Sequence, residues 1–430
     1  MKTDQIQKVH KDWYKLDLSA IVYPTLQRRD FSSVYRLSVL LKEDIDPEIL
    51  QRAVNLTMPR FPTYKAAIRK GVFWRYLEPN DRPGPFVQED VKNPCQPMHF
   101  KGNNRYLVRI YYYRNRIALE AHHSLGDGTG GMCVLQTLTA TYLRLKGHSE
   151  IENGGFVLDI LGIPDPGELE DAYMKYANAK VCPPRPGEKT YRVRGTKEPF
   201  YTLNIIDGIM SVSEVMRVAK SYNATITEYL NSVLLYALMR KQESEWHLKL
   251  RPVKIAMPVN LRRFFPSRTL RNFITMIYPG IDPRPGEYTF EEIVTQVHNY
   301  MRYYLNEKLL RGDITTNAET QRNPFIRIVP LFIKDLVVRQ FYTKIQDKNS
   351  SAGLTNMGAL KVPETMKPYI ERFDIYMGQP FSTRTNCAIA SFEDILTINF
   401  ASSIAETDVE RLFFRKLVQD GIHVKIESNR

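Results

Sequence analysis

Between Gly147 and Pro199 the regular patterning of this chain stops. The stretch holds Pro164, Pro166, Pro183, Pro184, Pro186 and Pro199 with several glycines. Proline removes backbone donors and fixes dihedrals that helix interiors and central strands need. The segment therefore reads as a crossover, residues 148–200, joining a first half, residues 1–147, to a second, residues 201–430. At 430 residues the chain exceeds what one hydrophobic core usually supports, so a division of this kind is expected. A hydrophobic content of 43% with 11% aromatics supplies material for two cores and excludes general disorder.

Both halves mix strands and helices, an α+β pattern. In the first, Phe31–Leu41 reads as a strand. Asp46-Pro47-Glu48 then provides an N-cap, a proline at the first helical position and an acidic first turn. Tyr64–Lys70 and Val72–Leu77 form one hairpin around Gly71, and Tyr106–Tyr113 with Arg116–His123 a second. Met132, Leu135, Leu138, Tyr142 and Leu145 give a helix over 129–145 its apolar spacing. In the second half, strands are expected at Tyr201–Ile209, Val253–Val259, Phe273–Ile281, Gly353–Val362, Phe373–Met377, Thr385–Phe392 and Ile395–Ala401. Ser211 and Glu214 make a capping box for a short helix. Further helices are expected at Thr225–Arg240, Phe290–Leu309, Phe325–Tyr342 and Thr407–Asp420.

The chemistry concentrates in Ala121-His122-His123-Ser124-Leu125-Gly126-Asp127-Gly128. Neighbouring strand residues point to opposite faces, so His123 shares a face with Ile117, Leu119 and Ala121, and His122 with Ala118 and Glu120. One ring can face a cavity while the other packs behind it. The same divergence argues against both binding one metal ion, and no metal is expected. Gly126 and Gly128 suit a turn, with Asp127 placed to cap the following helix. A buried core histidine beside a capping aspartate is the bland alternative. A sharper rival is Gly126–Gly131, which literally matches the G-x-G-x-x-G dinucleotide fingerprint. Against it stand the carboxylate of Asp127 where a pyrophosphate would lie, and antiparallel hairpins where a βαβ unit should begin. No G-x-S-x-G elbow, Walker loop or H-E-x-x-H is present.

The net charge of +13 is spread rather than arranged in a stripe, and no nucleic-acid-binding signature accompanies it. Such a charge could favour nucleic acid, an anionic membrane or phosphorylated small molecules, and its scatter reads as a solvated basic surface with at most a local patch for a phosphate-bearing ligand. Cys95, Cys133, Cys182 and Cys387 are far apart and read as free thiols of a reducing compartment. Met1–Lys15 lacks the apolar core of a signal peptide, and no run of about eighteen apolar residues exists to span a membrane. A cytoplasmic location is expected.

His122-His123-x-x-x-Asp127-Gly128 resembles the signature of the chloramphenicol acetyltransferase-like superfamily, which includes alcohol acetyltransferases and nonribosomal peptide condensation domains. Pro258-Val259-Asn260-Leu261-Arg262, followed by Thr269-Leu270-Arg271-Asn272-Phe273, is similar to the second-half segment of alcohol acetyltransferase-like members. The late Asp-Phe-Gly-Trp-Gly motif of the plant members is absent. Asp374-Ile375-Tyr376-Met377-Gly378 is a distant counterpart. The resemblance implies two similar α/β sandwich halves with the active site in a tunnel between them. It implies acyl transfer from a thioester to a hydroxyl, with acyl-CoA as co-substrate and no tightly bound cofactor. Transfer to an amine from an acyl carrier protein, or a non-catalytic binding module on the same fold, are the alternatives. By resemblance His123 is the general base and Asp127 a structural residue paired with an arginine, Arg262 rather than Arg263, with His122 and Gly128 supporting the motif. Asn260, Asn272, Thr355 and Asn356 are candidates to contact substrate or the oxyanion.

Overall fold

The computed structural model describes residues 13–27, 31–180, 188–199, 202–245, 247, 249–378 and 383–430. Cys182, Pro183, Pro184 and Pro186 lie outside the described residues.

Three sheets carry the architecture of the described residues. The first has the order β13–β2–β7–β6–β5, with β2 (Val34–Leu41), β5 (Val87–Glu89), β6 (Val108–Tyr113), β7 (Arg116–His122) and β13 (Ile370–Met377). β6 and β7 form the expected hairpin, and β7 pairs antiparallel with β2, Leu37 opposite Leu119. The helices Pro47–Thr57 and Gly128–Lys146 supply Leu50, Val54, Leu135 and Leu138 to a core shared with Leu37, Val39 and Leu119. Asp46 caps the first of them, accepting from the backbone N–H groups of Glu48 and Ile49 at 2.9 and 3.0 Å.

The second sheet has eight strands: β8 (Asn204–Ser211), β9 (Val253–Asn260), β10 (Ile274–Ile277), β11 (Gly280–Ile281), β12 (Ala352–Ala359), β14 (Thr385–Phe392), β15 (Ile395–Ser402) and β16 (Lys425–Ser428). Their order is β10–β9–β12–β14–β15–β8–β16, with β11 also paired to β9. Its own core joins Ile255, Leu354 and Ile398 to Val233, Leu234, Ile293 and Phe413 of the covering helices. A small third sheet, β1 (Tyr14–Lys15), β4 (Arg75–Pro79) and β3 (Ala66–Lys70), contains the other expected hairpin. The chain is thus an α+β protein of two lobes. Among the described residues β13, from late in the sequence, crosses between them and pairs along β2 from Tyr35 to Leu41.

Several elements differ from their sequence expectations. The strand expected over Phe273–Ile281 is two short strands. The ladder breaks at Pro279, which has no N–H and instead offers its carbonyl to Ile255 N–H at 2.9 Å. The helix expected over Phe290–Leu309 stops at Tyr304, and a new one, Glu307–Arg322, begins where Asn306 caps Leu309 N–H at 3.0 Å. The region Phe325–Tyr342 is two helices, Pro324–Arg327 and Leu331–Asn349, separated around Pro330. Ser211 caps Glu214 N–H at 3.3 Å, but Glu214 does not reciprocate. Its carboxylate accepts from His423 N–H at 2.9 Å, so the capping box is half formed. The crossover is more than a strap. Its short helix Ala172–Tyr176 packs with Leu261, Phe273, Leu310 and Ile314, and Arg60 holds its Glu168 bidentately at 2.6 and 2.7 Å.

Candidate active site

β7 ends at the junction of the lobes, and the two histidines diverge there. His122 is fully buried on the face of Glu120, against the edge of Phe100 at 5.4 Å. Its Nδ1 accepts the backbone N–H of Ser124 at 3.2 Å, which starts the turn and puts the ring proton on Nε2. Burial, with His123 alongside, pushes its pKa down to about 3. It is a neutral structural ring. The face it shares is stiffened by Arg36, whose guanidinium reaches Glu120 at 3.0 Å and Asp90 at 2.8 Å.

His123 turns the other way. Its ring stacks on Tyr23, centroids 4.8 Å apart, and leans on Tyr35 at 4.6 Å. Its backbone is fixed from both lobes: its N–H donates to Ser33 carbonyl at 2.8 Å, and its carbonyl accepts Asn272 Nδ2 at 2.9 Å. Desolvation pushes its pKa down to about 4, against the opposing pull of the Asp127 carboxylate and the Asn272 side chain. The imidazole is therefore neutral at physiological pH. Among the described residues its Nδ1 is enclosed without a hydrogen-bond partner, as is Oδ1 of Asn272.

Asp127 is the N-cap of the helix Gly128–Lys146. Oδ1 accepts from Thr129 and Gly130 N–H at 3.1 and 3.2 Å. Oδ2 accepts from Arg262 Nη1 at 2.8 Å and Phe273 N–H at 2.9 Å, both from the second lobe. Arg262 is equally committed, donating to the carbonyls of Thr269 at 2.9 Å and Arg271 at 2.5 Å. Arg263, the less favoured partner, is exposed. Asn260 completes the clamp, accepting Arg262 N–H at 3.1 Å and donating to Thr129 Oγ1 at 3.1 Å. Asp127 thus spends its carboxylate on holding the lobes together, and its oxygens face donors already engaged.

Thr355 and Asn356 sit on β12 and part company. Thr355 shares a face with Gly353 and Met357. Met357 Sδ lies 3.0 Å from where a Cβ on Gly128 would be, so this face looks towards the first lobe. Asn356 is on the reverse face, donating to Thr227 Oγ1 at 2.9 Å and accepting Gly358 N–H at 2.7 Å. It does not join the cluster. His122, His123, Asp127, Gly128, Asn260, Arg262 and Asn272 do come together. Sequence reasoning missed Tyr23, Tyr35 and Asp17. The buried Asp17 accepts Asn272 Nδ2 at 3.1 Å, and no local pattern marks it.

The dinucleotide rival fails on geometry. The first N–H groups of the helix are occupied by Asp127 itself. A Cβ on Gly130 would stand 1.9 Å from the Leu270 carbonyl, and one on Gly131 2.6 Å from Tyr35 Oη. These glycines admit protein, not a pyrophosphate. β7 is also flanked by antiparallel neighbours.

No protein-family model and no curated protein matches the sequence. Solved structures do match the fold. TRI101 of Fusarium sporotrichioides, complexed with coenzyme A and T-2, aligns with a TM-score of 0.64 at 12% identity over 98% of this chain and 100% of that one. The starter condensation domain of rhizomide synthetase RzmA, in complex with C8-CoA and Leu-SNAC, aligns at 0.59 and 10% identity over 97% and 96%. The wax ester synthase/diacylglycerol acyltransferase of Marinobacter aquaeolei VT8 aligns at 0.54 and 12% identity over 95% and 100%. The chain has the two-lobed fold of the condensation domains and chloramphenicol acetyltransferase-like acyltransferases.

Proposed function

We propose that the chain is an O-acyltransferase that moves an acyl group from acyl-CoA to a hydroxyl acceptor, in a tunnel between the lobes, with His123 as general base. One observation carries the reading: a neutral imidazole, its backbone fixed by contacts from both lobes, stands where they meet, while Asp127 and Arg262 are fully spent on clamping the lobes together beside it. The CoA-bound neighbours on the same fold support the donor.

The acceptor oxygen attacks the thioester carbon while its proton passes to His123, on Nε2 because Nδ1 is enclosed. A C–O bond forms and the carbonyl oxygen becomes an oxyanion. Collapse breaks the C–S bond, and the leaving thiolate takes the proton back from the imidazolium. Such positioned proton transfer contributes about 10²–10⁴-fold to rate. An oxyanion donor is required from the second lobe. Thr355, on the face of β12 turned towards Gly128, is the candidate.

Amide formation with a carrier-bound donor is the second reading, favoured by the condensation-domain neighbour. The test is free-thiol release from a panel of acyl-CoAs with and without candidate alcohols and amines, using wild type and His123→Ala. Acceptor-dependent release that disappears in a folded His123→Ala protein is expected. A folded wild type that releases no thiol with any acceptor overturns the CoA reading. An unchanged ligand affinity in His123→Ala, without turnover in either protein, identifies a binding module. A cytoplasmic location belongs to the same proposal, and the buried free thiols Cys95, Cys133 and Cys387 are consistent with a reducing compartment.

A further inference from the structure

Two segments distant in sequence meet on the outside of the protein and leave large apolar side chains in solvent. The tip of the β3–β4 hairpin presents Val72 at 71% exposure and Trp74 at 52%. The helices Pro324–Arg327 and Leu331–Asn349 present Phe325 at 77% and Phe332 at 73%, with Leu336 and Val337 also exposed. The two segments are locked together. Leu331 N–H donates to Val72 carbonyl at 2.9 Å, Lys334 Nζ to Phe73 carbonyl at 3.0 Å, and Arg75 grips Asp335 bidentately. A contiguous apolar surface of this kind is uncommon on a soluble monomer unless something covers it.

The surrounding charge says what covers it. Over residues 324–341 the one acid, Asp335, is neutralised by Arg75, while Arg327, Lys334 and Arg339 are basic. Lys70 and Arg327 are exposed and have no carboxylate partner among the described residues. Aromatic and aliphatic side chains with a cationic margin match the headgroup layer of an anionic bilayer. No helix among the described residues is long and apolar enough to cross a membrane, so the contact lies in the interface plane.

The surface also adjoins the candidate site. The helix Leu331–Asn349 rests on the turn Tyr23–Leu26: Thr25 Oγ1 donates to Asp335 at 2.9 Å, and Arg75 donates to Thr25 Oγ1 at 3.0 Å. Two residues before Thr25, Tyr23 stacks on His123.

We propose that this face seats the protein on an anionic phospholipid bilayer, with Trp74, Phe325 and Phe332 among the headgroups and Lys70 and Arg327 against anionic lipid. Where the acyltransfer reading also holds, the docked face lies next to His123, joined to it through Thr25 and Tyr23. The docking itself does not depend on that reading.

The test is co-sedimentation of the full chain with vesicles of phosphatidylcholine alone or with about a third phosphatidylserine. The wild type should pellet with the anionic vesicles and be released by salt. The triple variant Trp74→Ser/Phe325→Ser/Phe332→Ser should lose at least about tenfold in apparent affinity while its melting curve is unchanged. Lys70→Gln/Arg327→Gln should lose about fivefold per charge removed. Wild type remaining in the supernatant with both vesicles overturns the proposal, as does a triple variant that pellets like wild type. So does a dimer, seen by light scattering, that the same substitutions dissociate. Loss of the acyltransfer reading would show separately, as missing thiol release with vesicle binding intact.

Discussion

Removing the charge of Asp127 tests whether that carboxylate holds geometry or moves protons. In Asp127→Asn one amide oxygen can still cap Thr129 and Gly130 N–H. The amide nitrogen then faces Arg262 Nη1 and Phe273 N–H, donor against donor. The Asp127 side chain is 3% exposed and that of Arg262 11%, so the arginine is left buried without its counter-charge. Breaking a buried pair from one side costs about 3–5 kcal/mol. Unfolding entropy of about 2.1 cal/mol/K per residue gives roughly 0.9 kcal/mol/K for a chain of this length. Asp127→Asn and Arg262→Met should therefore each melt about 3–6 °C below wild type. The double variant should fall well short of the sum, because the second change removes the group the first left stranded. Thermal circular dichroism on all four proteins reads this directly. Asp127 also raises the His123 pKa, so its neutralisation should move the acid limb of kcat/KM to lower pH. Additive melting shifts, or single variants within about 1 °C of wild type, refute the clamp. An acid limb displaced upward refutes the electrostatic part.

The acid limb of wild-type kcat/KM should fall near pH 4 rather than near 6.5, because desolvation opposes the imidazolium and the base must be neutral to act; a limb near 6.5 would place His123 in a wetter site. Gly130→Ala should destabilise by about 3 kcal/mol without any ligand present, since its Cβ collides with the Leu270 carbonyl; a neutral effect on melting would contradict the close packing. Asp207 and Asp374 are buried together where β8 meets β13, and burial with mutual repulsion pushes the Asp207 carboxyl up to about 7. A raised carboxylate pKa contributes stability that is lost as pH rises from the ordinary value near 4 through about 7. Asp207→Asn should flatten the decline in melting temperature from pH 5 to 8, and an unchanged slope would sink the assignment.

What could be read from the sequence was local. The β6–β7 hairpin, the capped helix after Asp46 and the turn around Asp127 are all specified by neighbouring residues, and the structure contains them. The helix Glu307–Arg322 has only a weak signal in the sequence because its core stripe is narrow, Leu310, Ile314 and Ala318, among Gly312 and two threonines that favour other conformations. The placing of Tyr23 and Asp17 beside His123 and Asn272 depends on contacts across 100 to 255 residues, for which a single sequence holds no local signal. Arg262 could be picked out because its segment resembles a known motif. Thr355 and Asn356 could not be separated until the strand's register fixed which of them faces the first lobe.

The crossing of β13 ties the site to the order in which the chain is made. Until residues 370–377 emerge, β2 has no neighbour on one side, and its eight buried residues form an open, sticky edge. A ribosome that has already released the HHxxxDG segment still carries an incomplete first lobe, through the whole synthesis of the second. Assembly is then a closing stitch rather than two successive folding events. Expression of residues 1–147 alone should yield aggregate, and adding the strand back in trans is the rational way to rescue it.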